Sequence, residues 1–191
     1  MIENPFKVLS EVVRVLENEG ITYVLVGSMA SSIHGMYRST VDIDFLADIK
    51  PEQVLPLLKA LETSFYIDET AVRRAVAERQ SFNAIHFDSV FKVDIFIPKG
   101  DDFAHKQLER RELRQIDPEI DQKVYVATAE DTILAKLRWY RAGGEVSTNQ
   151  WSDVVGVLGA SESGLDVEYL QEWADRLGVR DLLEQAQAEA T

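Results

Sequence analysis

Apolar residues Phe6, Leu9, Val12, Val13 and Leu16 recur at intervals of three and four. That spacing predicts an amphipathic helix with one buried face, with Asn4 as its cap, Pro5 in its first turn and Gly20 at its end. Residues 21–26 form a short apolar, β-rich run closed by Gly27, the pattern of a buried strand. Ser28 is then placed to cap a short helix to about Ile33, which Gly35 ends. Between Thr40 and Leu46 the period changes to two, Val41, Ile43 and Phe45 alternating with Thr40, Asp42 and Asp44, which predicts a strand. Helical patterns follow over residues 51–61, 69–79 and 102–114. Residues 82–87 and 90–97 are β-rich runs joined by Asp88 and Ser89, as in a hairpin, and residues 124–127 predict a last strand. From Thr128 onward the pattern is helical only, with a capping-box-like start at Thr128 and Asp131, broken at Gly143 and Gly144, and resumed over 151–158, 167–177 and 179–186. The pattern reads as an α/β chain of the α+β type, with a core over residues 1–127 and a C-terminal helical region, 128–191, packing on it.

Composition narrows the chemistry. An apolar content of 46% without low-complexity runs provides enough core for a folded chain. No apolar stretch approaches the roughly 20 residues that span a bilayer, and the N-terminus lacks a signal-peptide pattern, so a cytoplasmic location is expected. The absence of cysteine excludes disulfides, thiolate metal sites and cysteine nucleophiles, leaving oxygen or imidazole as metal donors. A net charge of -13 argues against long duplex DNA and, in the absence of an apolar patch, for a monomer or weak dimer. Lys106, Arg110 and Arg114 recur every four residues on the 102–114 helix, but Glu109 and Glu112 are interleaved, the mark of a solvated mixed-charge face. His34, His86 and His105 have no metal-ligand spacing, and Trp139, Trp151 and Trp173 are read as core residues on helical faces.

The candidate chemistry lies in the carboxylates. Residues two apart on a strand point to one side and rise together by about 6.6–6.8 Å, so Asp42 and Asp44 share a face. Two such charges at 4 Å repel by about 4 kcal/mol at an effective dielectric of about 20, a repulsion that a cation relieves. Asp94 interrupts the apolar run Phe91-Lys92-Val93-Asp94-Ile95-Phe96-Ile97. If its strand neighbours that of Asp42 and Asp44, three carboxylates form an oxygen site suited to Mg²⁺ or Mn²⁺, and two such ions serve in-line attack at phosphorus. Gly27-Ser28, between a strand and a helix start, lets a phosphate approach the backbone and donates to it.

Val26-Gly27-Ser28, then Gly35, Arg38, Thr40 and Asp42-Ile43-Asp44-Phe45, with a later Val93-Asp94-Ile95, resemble the core signature of the DNA polymerase β-like nucleotidyltransferases. Within that superfamily the pattern looks most like the AbiEii-type toxins of toxin-antitoxin and phage-defence pairs and related single-chain proteins. Lys136, within Glu130-Asp131-Thr132-Ile133-Leu134-Ala135-Lys136-Leu137, and Asp153, within Trp151-Ser152-Asp153-Val154, stand where such proteins carry a helix lysine and a later helix aspartate. The chain departs from the pattern around Gly143 to Thr148 and at Ser152, where many relatives have a basic residue.

The resemblance implies a mixed sheet flanked by helices and Mg²⁺-dependent transfer of a nucleoside monophosphate from an NTP such as ATP. The acceptor is tRNA or protein in the favoured reading, or a small molecule. By the same resemblance Asp42, Asp44 and Asp94 hold metal, Asp94 helping to activate the acceptor hydroxyl. Gly27, Ser28, Arg38, Thr40, Lys136 and Asp153 serve the nucleotide, Lys136 also acting on the charge of the phosphoryl oxygens. A cognate toxin or antitoxin is the protein partner it suggests. Two other classes stay open: a catalytically silent nucleotide-binding or regulatory module, and an antibiotic nucleotidyltransferase whose cationic substrate suits an acidic surface.

Overall fold

The computed structural model describes residues 4–35, 40, 42–89, 91–117, 120–161 and 164–190. Arg38 and Val41 lie outside the described residues, and with Arg38 one expected phosphate ligand. In chain order the elements are α1 (Pro5–Asn18), β1 (Thr22–Val26), α2 (Gly27–His34), β2 (Asp42–Asp48), α3 (Val54–Leu61), β3 (Phe65–Ile67), α4 (Glu69–Glu78), β4 (Ser81–His86) and β5 (Lys92–Phe96). There follow α5 (Asp102–Arg110), β6 (Glu112–Gln115), β7 (Lys123–Val126), α6 (Ala129–Ala142), α7 (Thr148–Ala160), α8 (Val167–Leu177) and α9 (Arg180–Ala190). They form two compact units, one of residues 1–26 and 40–126, the other of residues 27–39 and 127–191.

The first unit is built on a mixed seven-stranded sheet in the order β3-β4-β5-β2-β1-β7-β6. β2 runs antiparallel to β1 and parallel to β5, and β5 is antiparallel to β4. Ile43, Phe45, Val93 and Ile95 are almost fully buried on one face. Each such side chain contributes about 1.5–3 kcal/mol when buried, and a one-residue slip of either strand would place an aspartate there instead. The hydrophobic alternation thus holds the register and turns the acids to the other face. α1 buries Val8, Leu9, Val12, Val13 and Leu16, and the Asn4 side chain caps it by accepting from the Phe6 N–H at 3.0 Å.

Several local expectations are corrected. The helix predicted over 102–114 ends at Arg110, because Arg111 turns extended (φ -52°, ψ 141°) and β6 then pairs with β7. Lys106, Arg110 and Arg114 therefore share no helix face; Lys106 pairs with Glu109 at 3.0 Å and Arg114 with Glu112 at 2.6 Å. The helix read over 51–61 opens as a 3-10 turn, Pro51–Gln53, before α3. β3, three residues at the sheet edge, is too short for any periodicity to announce it.

The second unit contains α2 and α6–α9. α2 starts at Gly27, whose φ of +69° only glycine adopts without strain, so Ser28 lies within the first turn and not ahead of it as expected. Thr128 does cap α6, its hydroxyl accepting from the Asp131 N–H at 3.1 Å. α6 is tied to α8 by Tyr169, which donates to Asp131 at 2.6 Å, and to the cap of α8 by Glu130, which accepts from the Asp166 N–H at 2.9 Å. Trp173 is buried as read, whereas Trp139 is 59% exposed, because it lies past Leu137 on the outward side of α6. The Trp151 indole donates to Glu189 at 2.8 Å.

Gly35 lies against α7 so closely that an added Cβ would stand 3.0 Å from the backbone carbon of Gly156 and the nitrogen of Val157. Backbone atoms cannot rotate away, so Gly35→Ala is expected to destabilise by about 1–3 kcal/mol, the usual cost of overpacking. Thermal denaturation checks this; an unshifted Tm would show that α2 and α7 can separate freely. No described helix is long and apolar enough to cross a membrane.

Candidate active site

In the parallel pairing of β2 with β5, Asp44 lies directly opposite Asp94, and Asp42 directly opposite Lys92. Directly paired residues share a sheet face, and so do residues two apart on one strand. Asp42, Asp44, Asp94 and Lys92 therefore occupy one open face, all four partly exposed, with strands about 4.8 Å apart. The adjacency of the β5 and β2 strands, on which a three-acid site depended, is present.

Lys92 was not singled out in the sequence, although its place two residues before Asp94 puts it on the same face. Its ammonium donates to Asp94 at 2.8 Å and stands 3.8 Å from Asp42. The hydrogen bond to Asp94 is the chief cause that raises the Lys92 pKa above the ordinary lysine value, with the charges of Asp94, Asp42 and Asp44 adding to it. Thr40 steadies the start of β2: its hydroxyl accepts from the Asp42 N–H and donates to the Asp42 carbonyl, each at 3.3 Å.

Among the described residues no three His, Asp or Glu side chains converge as a ready metal set. The donor chemistry nevertheless fits a hard divalent cation. The side chains offer only carboxylate oxygens, they are neighbours by register, and a positive group, the Lys92 ammonium, already sits against two of them.

The second unit holds a separate polar cluster. Lys136 on α6 is only 6% exposed, and its ammonium donates to Asp153 Oδ2 of α7 at 2.6 Å, where the aspartate side chain is 9% exposed. It also donates to the Ser28 hydroxyl at 3.2 Å, and the Ser31 hydroxyl lies 3.2 Å from the same Asp153 oxygen. Three sequence-nominated residues, Ser28, Lys136 and Asp153, are thus brought together, and Ser31 joins them unannounced. The lysine is more deeply buried than a snorkelling side chain at a helix edge would be. A buried ammonium against a buried carboxylate is kept only with close geometry and added hydrogen bonds, which the two serines supply.

The histidines have other partners. His34 meets the Ala127 carbonyl at 2.6 Å, His86 meets the Ser89 hydroxyl at 2.8 Å, and His105 meets the Asp101 carbonyl at 3.0 Å.

A model of the family described as nucleotidyltransferase of unknown function (DUF6036) matches residues 4–145. No curated protein matches the chain. Among solved structures, the chain is similar to an antigenic nucleotidyltransferase-like protein from Paracoccidioides brasiliensis, at 16% identity and a TM-score of 0.60, over 96% of this chain and 92% of that one. It is also similar to the antibiotic-resistance factor ANT(2'')-Ia, at 11% identity and a TM-score of 0.59, with both chains fully covered. A lincosamide antibiotic adenylyltransferase, LnuA, matches at 17% identity and a TM-score of 0.50, over 79% of this chain and 94% of that one. At such identities the likeness is one of fold.

Proposed function

We propose, for a chain that belongs to the family of nucleotidyltransferases of unknown function DUF6036, that it moves a nucleoside monophosphate from an NTP to a hydroxyl acceptor. The observation that carries this reading is the register of β2 and β5, which sets Asp44 directly opposite Asp94, with Asp42 two residues along β2 on the same open sheet face. A solvated surface gains little from three adjacent acids, whereas a nucleotide–metal complex needs them.

In this reading Asp42, Asp44 and Asp94 hold Mg²⁺ or Mn²⁺, which when bound offsets the charge of the triphosphate. Asp94 also takes the proton of the acceptor hydroxyl. The acceptor oxygen then forms its bond to the α-phosphorus as the bond to the bridging oxygen of pyrophosphate breaks, and pyrophosphate leaves with that electron pair. Gly27 and Ser28 receive phosphate at a helix start, Arg38 and Thr40 belong to the same nucleotide-binding set, and Lys136 answers charge on the phosphoryl oxygens with Asp153 orienting it. ATP is the donor favoured, tRNA or protein the acceptor favoured, and the cytoplasm the compartment, with a toxin-antitoxin or defence pair as the setting.

An antibiotic acceptor is a second reading, supported by the net charge of -13, which attracts a cationic substrate, and by the fold shared with ANT(2'')-Ia. One experiment separates the readings: each of four labelled NTPs is offered with Mg²⁺ to the purified protein, alone and with total tRNA, cell lysate or an aminoglycoside panel. Label is expected on one macromolecular fraction from one NTP. Label on an aminoglycoside selects the second reading, and no transfer from any NTP to any acceptor defeats both.

A further inference from the structure

We propose that Lys92 is a positioning residue that aims the Asp94 carboxylate and lowers the affinity of the three acids for a divalent cation. The inference rests on the reading of Asp42, Asp44 and Asp94 as the metal-holding set.

Lys92 and Asp94 alternate on one strand, so both side chains leave β5 on the open face, and the ammonium reaches Asp94 at 2.8 Å. That contact takes one lone-pair direction of the carboxylate and leaves the rest for a cation or an acceptor proton. The second approach, 3.8 Å to Asp42, is too long for a hydrogen bond but close enough for charge. A partly exposed ion pair of this kind adds little to stability. Its larger effect is on what the acids bind. Three carboxylates and one ammonium carry two negative charges instead of three. A unit charge about 6 Å from a doubly charged ion, at the dielectric of water, weakens binding about tenfold. An ammonium at this place thus trades cation affinity for a fixed carboxylate orientation.

The test compares wild type, Lys92→Met and Lys92→Arg with Asp42→Asn as reference, by calorimetry with Mn²⁺ and a non-hydrolysable NTP analogue at low salt. Lys92→Met is expected to bind Mn²⁺ about tenfold more tightly. Its kcat for transfer should fall about ten- to hundredfold, the usual effect of losing a partner of a metal ligand, with little change in KM for the NTP. Lys92→Arg, which keeps the charge, should stay near wild type in affinity. A simple loss of fold support would weaken binding, so tightening separates the two. Unchanged or weaker Mn²⁺ affinity in Lys92→Met, with Asp42→Asn still weakened, overturns the role of Lys92 alone. Unweakened affinity in Asp42→Asn removes the acid site itself, and the proposal with it.

Discussion

Asp42→Asn and Asp44→Asn are each expected to lose metal-dependent NTP binding and to lower transfer by about 10²–10³-fold, the scale seen when one charge-stabilising group is taken from an active site. Neither acid belongs to the buried core. Both lie on the open face of β2, Asp42 with half of its side chain exposed. Removing Asp44 relieves like-charge repulsion with Asp94 opposite it, whereas removing Asp42 also gives up its 3.8 Å approach to the partly exposed Lys92 ammonium, so the Tm should change little in either variant. Function lost while stability is kept is the signature of residues retained for chemistry. Calorimetry of NTP with Mg²⁺, beside thermal melts, reads both quantities. Unchanged nucleotide–metal affinity in both variants would falsify the metal assignment.

Lys136→Ala should lower stability as well as activity. Its ammonium is buried against Asp153 at 2.6 Å, and removing one partner of such a pair strands the other charge, at a cost of about 3–5 kcal/mol. At about 2–4 °C of Tm per kcal/mol for a chain of roughly this size, the melting shift is large. Asp153→Ala should do the same. Because a destabilised variant loses activity for trivial reasons, the decisive protein is the double variant Lys136→Met with Asp153→Leu. Exchanging both partners for apolar groups of similar volume is often neutral, so its fold should recover. Its kcat and kcat/KM should stay depressed together, as expected when a charge contact made in the transition state is gone. Lys106→Ala, on the exposed pair with Glu109, is the control that should change neither. A stable double variant with wild-type turnover would assign Lys136 to the architecture of the helical unit and remove it from the mechanism.

What the amino-acid order determined by itself was local. Alternation through Ile43 and Phe45 settled that Asp42 and Asp44 share a strand face, and Asn4 and Thr128 announced two helix starts. These depend on periodicities of two and 3.6 and on a side chain reaching an N–H two or three residues away, which a short window contains. The match of spacing around Gly27, Asp42 and Asp94 to a known superfamily added the fold, which the family match and the seven-stranded sheet bear out. Tertiary structure decided what lies between distant segments. Asp94 stands 50 positions after Asp44 in the numbering and becomes its neighbour only through the parallel pairing of β2 and β5. Ser28 meets Lys136 across 108 positions, and Asp153 meets it across 17. The edge strand β3 and the strand after Arg110 exist because partners were present to accept their backbone groups. Strand pairing and ion pairing join groups that no local window holds, and their geometry comes from the packed core, so the place of Lys92 among the acids and the burial of Lys136 are properties of the folded chain.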